Sequence, residues 1–280
     1  MVIKKKLNIV IFGATGSIGK YLVNQFYNKG HNLLLYIKDK KKLNILKKKI
    51  KNRKLQTVNY EQLDLINNKD LKKKINKNIK FFKKADVIIN ATGVQGEIGN
   101  FFKISLKNFF KTFEINFYTQ IILFKTIYGL IKDNKSTHII LFSGGGVTNI
   151  RKNFSSYSLS KIALVKLVEI LAVEFRNKNI RINAVSPGII DSRMTRSIIG
   201  SNKKDVDFNE LNKIKEQIGK SKKTLKKVYD LIIFLNSQKG NKITGKIISS
   251  RWDNLTKWNI KKIKKALNSD IFTLRRVEKF

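Results

Sequence analysis

Cysteine is absent from this 280-residue chain, and histidine occurs only twice, at His31 and His138. The missing thiols exclude disulfides and thiolate metal sites, and two imidazoles are too few for a metal site built on histidine. The chain also lacks any run close to the roughly 20 apolar residues that a membrane-spanning helix needs. We therefore expect no bound metal and no membrane span.

Acidic side chains are scarce as well: 19 Asp and Glu residues face 59 Lys and Arg residues, so the formal net charge is +40. Such a charge would suit a nucleic-acid partner. However, the excess is mostly lysine, which accompanies abundant Asn and Ile, and all three have A/T-rich codons. The lysines are spread along the whole chain without a nucleic-acid-binding motif. We therefore attribute the charge to genome composition and expect no specific nucleic-acid partner, only weak, salt-sensitive binding to polyanions.

The opening sequence, MVIKKKLNIVIFGATG, resembles a signal peptide in its basic head and apolar stretch. The apolar stretch is short, however, and glycines follow where a cleavage site of small residues would lie. We expect this segment to be the first strand of a cytoplasmic protein.

Short apolar runs alternate with longer segments of helical pattern. Strands are predicted at 7–13, 31–37, 55–64, 85–92, 137–144, 180–188 and 242–250, and helices near 17–29, 38–52, 68–83, 103–131, 155–177 and 224–236. Runs such as ADVIINA and THIILFS are apolar at consecutive positions, which is typical of strands covered on both faces. This alternation predicts an α/β fold in which a parallel sheet of about seven strands is wound with helices on both faces.

No linker rich in Pro, Gly or Ser divides the pattern, so residues 1–250 are expected to form a single domain. Two segments fall outside the alternation. Residues 189–222 form a long polar insertion, which we interpret as a lid over a substrate because long connections in compact domains are commonly functional. Residues 251–280 form a C-terminal tail with an amphipathic piece, NLTKWNIKKIKKAL.

Three glycines at a spacing of three, Gly13, Gly16 and Gly19, follow the first predicted strand and begin the first predicted helix. In a βαβ unit such glycines permit a tight turn, close approach of the backbone to a pyrophosphate and packing of the helix on the strand, while the helix N-terminus attracts the phosphates. This context predicts a dinucleotide site. A glycine-rich structural turn is the alternative.

Further motifs follow in order along the chain. They are GATGSIG (13–19), DL (64–65), NATG (90–93), Asn116, FSGGG (142–146), YSLSK (157–161), NAVSPGIIDS (183–192) and ITG (243–245). In this order and spacing they resemble the single-domain short-chain dehydrogenase/reductase family over about residues 5–250. The resemblance implies a Rossmann-type doubly wound domain and an NAD(P)(H)-dependent oxidoreductase that interconverts a secondary alcohol and a ketone.

The Tyr-x-x-x-Lys spacing of this family occurs three times in the lysine-rich chain, at Tyr36/Lys40, Tyr128/Lys132 and Tyr157/Lys161. The spacing alone is therefore no proof, since chance supplies such pairs. Tyr36 ends a predicted strand, and Tyr128 lies in a helix expected to pack on the flank of the sheet. Only Tyr157 begins a helix after a strand that ends near Ser143. We predict Tyr157 as the catalytic tyrosine.

Moving a hydride to or from a carbonyl carbon requires a proton to move at the carbonyl oxygen. A tyrosine has an ordinary pKa of about 10, and a lysine one helical turn away favours its phenolate form. By resemblance, Lys161 also hydrogen-bonds the nicotinamide ribose, Ser143 holds the substrate oxygen, and Asn116 holds a water that links Lys161 to solvent. The alternatives are a polar residue that caps or kinks its helix for Asn116 and a plain strand-end serine for Ser143.

The sequence departs from the family pattern at three places. Ala91 stands where family members usually carry a second Asn. The glycine spacing is closer to that of the extended, sugar-nucleotide-modifying branch, because the single-domain branch usually has its middle glycine where Ser17 stands. Ser143 lies fourteen residues before Tyr157, whereas the family serine more often lies thirteen before, where Gly144 stands. Either the loop has one extra residue or the role of the serine is weakened.

The residue that ends the second strand selects between cofactors, because a carboxylate there binds the adenosine ribose and repels a 2′-phosphate. Ile37 and Lys38 stand at this position, so we predict NADP(H), with NAD(H) as the alternative. By resemblance, Asp64 contacts the adenine and Asn90 lines the adenosine side. Ile189 and Ser192 are expected to border the nicotinamide. The predicted cofactor-binding residues are Gly13, Thr15, Gly16, Ser17, Ile18, Gly19, Lys38, Asp64, Leu65, Asn90, Ala91, Gly93, Tyr157, Lys161, Pro187, Gly188, Ile189 and Ser192.

The substrate is predicted to be a small molecule. Candidates for its pocket are Glu97, Phe101, Phe102 and residues 193–222, with ordinary aromatic packing as the alternative. The C-terminal segment that starts with SSRWDNLTKW at Ser249 and runs into the tail resembles that of a bacterial subgroup associated with surface polysaccharides and nucleotide sugars. This favours a sugar-type hydroxyl or ketone.

By resemblance, the helices near 103–131 and 155–177 pair two subunits, so we expect a homodimer or homotetramer. Two other functions remain open. One is a sugar-nucleotide epimerase or dehydratase that retains its cofactor, which the glycine spacing and the tail favour. The other is a nucleotide-sensing or nucleic-acid-binding protein without turnover, which the net charge favours.

Overall fold

The computed structural model describes residues 5–131, 136–202, 204–267 and 269–276. Its strands are β1 (Asn8–Phe12), β2 (Asn32–Ile37), β3 (Val58–Gln62), β4 (Val87–Asn90), β5 (Thr137–Phe142), β6 (Ile180–Ser186) and β7 (Ile247–Ser249). They form one seven-stranded sheet in the order β3-β2-β1-β4-β5-β6-β7, and every pairing in it is parallel. The remaining positions of the predicted domain, lid and tail, which are 1–4, 132–135, 203, 268 and 277–280, lie outside the described residues.

Helices cover both faces of this sheet. They are α1 (Ser17–Asn28), α2 (Lys40–Lys49), α3 (Asn68–Lys77), α4 (Ile79–Phe82), α5 (Leu106–Phe113), α6 (Thr119–Ile131), α7 (Ser155–Glu174), α8 (Arg193–Ile199), α9 (Phe208–Ile218), α10 (Ser221–Leu235) and α11 (Ile260–Leu267). A π-helical turn (Glu114–Tyr118) joins α5 to α6, and a 3₁₀ turn (Leu255–Lys257) precedes α11. The predicted α/β fold, a doubly wound parallel sheet of seven strands, is confirmed. Within the described ranges, no helix combines the length and the apolar character needed to cross a bilayer.

The central strands are buried on both faces because their side chains alternate between two apolar cores. In β1, Ile9 and Ile11 pack in the core that includes side chains of α1 and α10. Val10 and Phe12 point the other way, into the core that includes side chains of α6 and α7. This arrangement explains why the strand sequences are apolar at consecutive positions.

The order of the strands opens a crevice beside β1. The chain runs from β1 outward to β2 and β3, and then returns to place β4 against the other side of β1. The connections after β1 and β4 therefore leave the sheet in opposite directions. In open α/β sheets, ligands bind at the carboxyl ends of the strands at such a reversal.

Three elements differ most from the predicted boundaries, and one of them is the helix predicted near 68–83, which is divided into α3 and α4. The single helix predicted over 103–131 is divided, because the π-helical turn interrupts it, and α5 begins only at Leu106. The strand predicted over 242–250 is reduced to Ile247–Ser249. Gly245 has φ of +73°, a left-handed conformation that breaks an extended chain just before β7.

The polar insertion over 189–222 is folded rather than irregular. Ser192 begins α8 by accepting a hydrogen bond of 3.1 Å from the N–H of Thr195, and Asp207 begins α9 by accepting one of 3.1 Å from the N–H of Glu210. Both are helix N-caps of the kind that Ser and Asp favour. The described part of the tail packs against the domain, where Ile263 of α11 is buried in the core.

Candidate active site

The chain turns from β1 into α1 through the glycine-rich segment. Gly13 has φ of +74°, which favours glycine, and its N–H donates to the carbonyl oxygen of Tyr36 at 3.1 Å. A Cβ on Gly19 would lie 2.2 Å from the carbonyl oxygen of Gly13, so α1 can approach the turn this closely only with glycine there. Gly13 and Gly19 therefore shape the turn and leave Gly16 facing open space.

That open space is a cavity of about 1660 Å³ whose walls follow the carboxyl ends of β1, β4, β5 and β6. The predicted site residues that line it are Thr15, Gly16, Ser17, Ile18, Ala91, Gly93, Ser143, Tyr157, Lys161, Pro187, Gly188, Ile189 and Ser192. The structure thus brings the glycine-rich turn and the predicted catalytic pair to one cavity. Among the described residues, no group of His, Cys, Asp or Glu side chains is arranged to hold a metal ion.

Tyr157 lies in the first turn of α7 and is only 8% exposed. Its hydroxyl lies against Gly144, where an added Cβ would be 2.0 Å from Tyr157 Oη. Burial raises the pKa of the Tyr157 phenol, and the positive charge of Arg151 partly opposes this effect. The phenol is therefore protonated at neutral pH, as a proton donor must be.

The other two tyrosines with the same spacing have packing roles. Tyr36 is buried in β2, where its ring stacks on Phe12 with centroids 4.5 Å apart. Tyr128 stacks on Phe175 with centroids 5.5 Å apart. Neither tyrosine lines the cavity.

Lys161 lies one helical turn after Tyr157 on α7 and is almost fully buried. Its Nζ donates to the carbonyl oxygen of Phe142 at 2.9 Å and lies 6.0 Å from the centroid of the Tyr157 ring. Because burial disfavours the ammonium, the pKa of Lys161 is lowered to about 8. A lysine with this pKa is mostly charged at neutral pH but releases its proton readily.

Asn116 lies in the π-helical turn between α5 and α6, behind the cavity wall. Its Oδ1 accepts from the N–H of Val94 at 2.9 Å, and its Nδ2 donates to the carbonyl oxygen of Val94 at 3.0 Å and to Ser160 Oγ at 3.1 Å. A Cβ on Gly93 would lie 3.2 Å from Asn116 Oδ1 and 3.5 Å from Lys161 Nζ. The amide therefore joins the loop after β4 to α7 beside the lysine.

Ser143 follows β5 directly and lines the cavity, although the residue is only 3% exposed. Its N–H donates to the carbonyl oxygen of Val185 at 3.0 Å. Its hydroxyl is buried and finds no hydrogen-bond partner among the described residues. Buried hydroxyls without a partner are uncommon, so ordinary packing does not account for this one.

Six predicted cofactor residues do not line the cavity: Gly13, Gly19, Lys38, Asp64, Leu65 and Asn90. Lys38 Nζ lies 2.8 Å from a carboxylate oxygen of Asp64. Partial burial would raise the pKa of Asp64, but the bonds from Lys38 and from the N–H of Ile66 hold it below its ordinary value. Asn90 is buried beneath the loop, where it donates to Gln120 and accepts from Thr92.

Three of the residues suggested for the substrate pocket, Glu97, Phe101 and Phe102, do not line the cavity either, whereas several residues of 193–222 do. Glu97 Oε2 accepts from the N–H of Ser105 at 3.1 Å and from Asn108 Nδ2 at 3.0 Å, so it braces the start of α5. Phe101 and Phe102 are 57% and 92% exposed and pack edge to face. The expectation that these three residues line the site is corrected, because their loop leads away from the cavity to the surface.

The structure adds wall residues that the sequence analysis did not single out. Among them are Arg151 from the loop before α7, Glu210 from α9, and Trp252 from the tail. Arg151 carried a usable signal, because arginine is rare in this lysine-rich chain, with nine in the whole sequence. Glu210 carried none, since its pairing with Arg151 joins positions 59 residues apart.

Known proteins resemble the chain over most of its length. A family model described as enoyl-(acyl carrier protein) reductase matches residues 13–250. The 3-oxoacyl-[acyl-carrier-protein] reductase FabG of Buchnera aphidicola is 27% identical over 244 residues, which cover 85% of this chain and 93% of that protein. Human dehydrogenase/reductase SDR family member 4 is 23% identical over 163 residues, 58% of this chain, and the chain spans only 57% of the length of that relative.

The fold is also that of a solved short chain dehydrogenase from Shigella flexneri complexed with NADP. The two superpose with a TM-score of 0.74 at 16% identity, over 90% of this chain and 100% of that chain. The family model covers well over half of the sequence and includes the glycine-rich turn, Tyr157 and Lys161. The resemblance predicted from the motifs is confirmed: the chain belongs to the short-chain dehydrogenase/reductase family of NAD(P)-dependent oxidoreductases.

Proposed function

We propose that the cavity interconverts a secondary alcohol and a ketone, with Tyr157 moving the proton at the substrate oxygen. The observation that carries this proposal is the presence of Tyr157 and Lys161, one helical turn apart, in the wall that the glycine-rich turn also lines. The nicotinamide of bound NAD(P)(H) supplies or accepts the hydride. The residues suit this cofactor because Gly16 faces the cavity and Lys20 and Lys42 add positive charge to its wall.

In the reductive direction, Tyr157 donates its phenolic proton to the substrate oxygen. The phenolate that remains lies in buried surroundings, and the ammonium of Lys161 favours it electrostatically. The lowered pKa of Lys161, about 8, suits a group that passes a proton to the phenolate afterwards. Asn116 positions the lysine by holding the loop after β4 against α7.

Ser143 is proposed to hold the substrate oxygen. Two observations support this role: its hydroxyl lacks a partner among the described side chains and backbone groups, and the residue lines the cavity. The usual serine position is held by Gly144, whose missing side chain makes room for the Tyr157 hydroxyl. We therefore infer that the hydroxyl is supplied one residue earlier in this chain.

NADP(H) is the proposed cofactor. The support is the absence of a carboxylate at Ile37, the adjacent side chain of Lys38, which is 69% exposed, and the NADP bound by the Shigella dehydrogenase. In calorimetric titrations, Lys38→Glu should weaken NADP⁺ binding about tenfold or more and spare NAD⁺. Lys49→Glu, at the far end of α2, is the matched control. Equal affinity of the native protein for both nucleotides would argue against the preference.

The catalytic proposal is tested with Tyr157→Phe. This variant should lower the rate of NADPH oxidation with ketone substrates by about 100- to 10,000-fold, because the proton donor is lost. The Kd for NADPH should change little, since the ring remains. Tyr128→Phe, which has the same spacing to a lysine but a packing role, should keep its activity. Unchanged turnover in Tyr157→Phe would refute the assignment.

Residues 189–222 are proposed to act as the lid of the substrate site. The support is that α8 and α9 contribute Met194, Glu210 and Ile214 to the cavity wall. A homodimer or homotetramer is also proposed. Its support is the exposed apolar side chains of α5 and α7, two helices that pack side by side and carry Phe110 and Val173 on their outer surfaces.

A further inference from the structure

Arg151 is held rigidly in the wall of the cavity. Its side chain is 11% exposed, and its guanidinium carbon lies 3.5 Å from the centroid of the Phe154 ring and 6.0 Å from that of Tyr157. Gly145 and Gly146 form the floor beneath it, where added Cβ atoms would come within 3.6 Å and 3.3 Å of the Arg151 side chain. The cation is therefore fixed close to the proposed proton donor.

The partner of Arg151 is a carboxylate of the lid. Nε of Arg151 donates to Glu210 Oε1 at 2.7 Å, and Nη2 donates to the same oxygen. Glu210 belongs to α9 and is partly exposed, with 26% of its side chain accessible. No hydrogen bond of Arg151 Nη1 is seen in the described ranges. One edge of the guanidinium is thus bound through a single oxygen, and the other edge remains open.

Several cationic side chains line this cavity. The chain has only nine arginines, and three of them, Arg151, Arg193 and Arg251, line the wall. The three arginines and several lysines of the wall outnumber its three carboxylates. A cavity of this charge attracts anions, and arginine binds carboxylate and phosphate groups through two parallel bonds.

We propose that the substrate carries a carboxylate or a phosphate group, which binds Arg151 in exchange for Glu210. The Glu210 carboxylate is an anion, as is the substrate group that would replace it on Arg151. Because Glu210 belongs to α9, its release from Arg151 would couple substrate entry to movement of α9. The role of Arg151 in selecting an oxidoreductase substrate rests on the proposed function. The binding of the anion itself does not, so the two can be tested separately.

The test is calorimetric titration of inorganic phosphate and, in a second arm, acetate into protein saturated with NADP⁺, which occupies the phosphate subsites of the cofactor. Chloride at matched ionic strength corrects for screening. Glu210→Gln removes the competing carboxylate and should tighten binding of the preferred anion about tenfold. Arg151→Gln should abolish that binding, and the double variant should behave like Arg151→Gln. The arm that responds identifies the substrate group as phosphate or carboxylate.

Asp191→Asn is the matched control, because it frees Arg196, a lid arginine that does not line the cavity. It should leave both affinities unchanged. If Arg151→Gln fails to fold, Arg151→Lys is the substitute. It keeps the positive charge but lacks the paired N–H donors of the guanidinium, so it should still weaken binding. If the Arg151–Glu210 ion pair only stabilises the fold, Glu210→Gln and Arg151→Gln should both lower the melting temperature and should not have opposite effects on anion affinity. That result would overturn the proposal. Because the titration involves no turnover, its outcome does not depend on whether Tyr157 is the proton donor.

Discussion

The residue at position 144 sets the space that is available to the hydroxyl of Tyr157, the proposed proton donor. Gly144 follows Ser143 and has no side chain between the strand end and the phenol. In the family pattern a serine more often lies at this position. In this chain, the residue beside the Tyr157 hydroxyl therefore has no side chain. The tyrosine hydroxyl occupies the room that a side chain would need.

Gly144→Ala should therefore lower kcat by about 100-fold, because a displacement of the hydroxyl by an ångström is enough for that loss. NADPH binding should be retained, since the phosphate end of the cavity is remote from the change. Gly129→Ala on α6, where an added Cβ meets nothing within 4 Å, is the control and should be fully active. Steady-state kinetics decides, and normal activity in Gly144→Ala would contradict the geometry.

Burial of the Lys161 ammonium lowers the free energy of unfolding. Its pKa falls from 10.5 to about 8 on folding, so the unfolded chain binds more protons between these values. The burial of the charge therefore destabilises the fold below pH about 8, and the destabilisation fades as the pH rises towards 10.5. At pH 7 it amounts to about 3 kcal/mol.

Lys161→Met should consequently raise the free energy of unfolding by up to about 3 kcal/mol at pH 7 and by much less at pH 10. The activity should be lost. Urea unfolding at the two pH values measures the difference, with Lys125→Met, an exposed lysine on α6, as the control. Parallel stability profiles of the native protein and Lys161→Met would show that the pKa is not lowered.

At the scale of elements, the interrupted helix over 106–131 is the feature that builds the site. A regular helix would continue past Asn116 without bringing its amide to the loop after β4. The π-helical turn over Glu114–Tyr118 widens the helix locally, and the side-chain amide of Asn116 hydrogen-bonds to Val94 and Ser160 from this turn. Such turns are frequent at functional sites.

Asn116→Ala should lower the free energy of unfolding by about 2–3 kcal/mol, because it leaves the N–H and C=O of Val94 and the hydroxyl of Ser160 without this partner. It should also lower kcat, since Lys161 loses its support. Thr126→Val on α6 removes a single bond to the carbonyl oxygen of Ile122 and should cost about 1 kcal/mol or less. Chemical denaturation combined with kinetics separates the two effects, and a fully stable, active Asn116→Ala would count against the role.

At the scale of the whole molecule, apolar side chains remain on the outer surfaces of α5 and α7. Leu106 and Phe110 are 72% and 62% exposed on α5, and Ile170 and Val173 are 48% and 62% exposed on α7. Grouped apolar surface on a folded protein commonly marks an interface. These residues therefore support the proposal that subunits pair through this surface.

Sedimentation velocity should then show a dimer or tetramer for the native protein. Phe110→Glu combined with Val173→Glu should shift it to the monomer, because a buried charge without a partner opposes association. Ile45→Glu on α2, at a position of similar exposure (56%), should leave the assembly intact. A native protein that sediments as a monomer would contradict the proposal.

The fold was largely predictable because it depends on local patterns. Continuous apolar runs predict buried strands, and their alternation with helices predicts a parallel sheet. Two of the boundaries that differ lie where one residue changes the backbone, at Gly245, and where a helix widens, around Asn116. Neither event has a periodic signal in the sequence.

The sequence by itself determined the order of strands and helices, the glycine-rich turn, and the position of Lys161 one helical turn after Tyr157, because all of these follow from spacing along the chain. Only the tertiary structure decided that Tyr157 shares a cavity with that turn and that the Glu97 loop lies outside it. It also decided that Arg151 meets Glu210. These contacts join residues far apart in sequence, and such residues meet only through the packing of the elements that carry them.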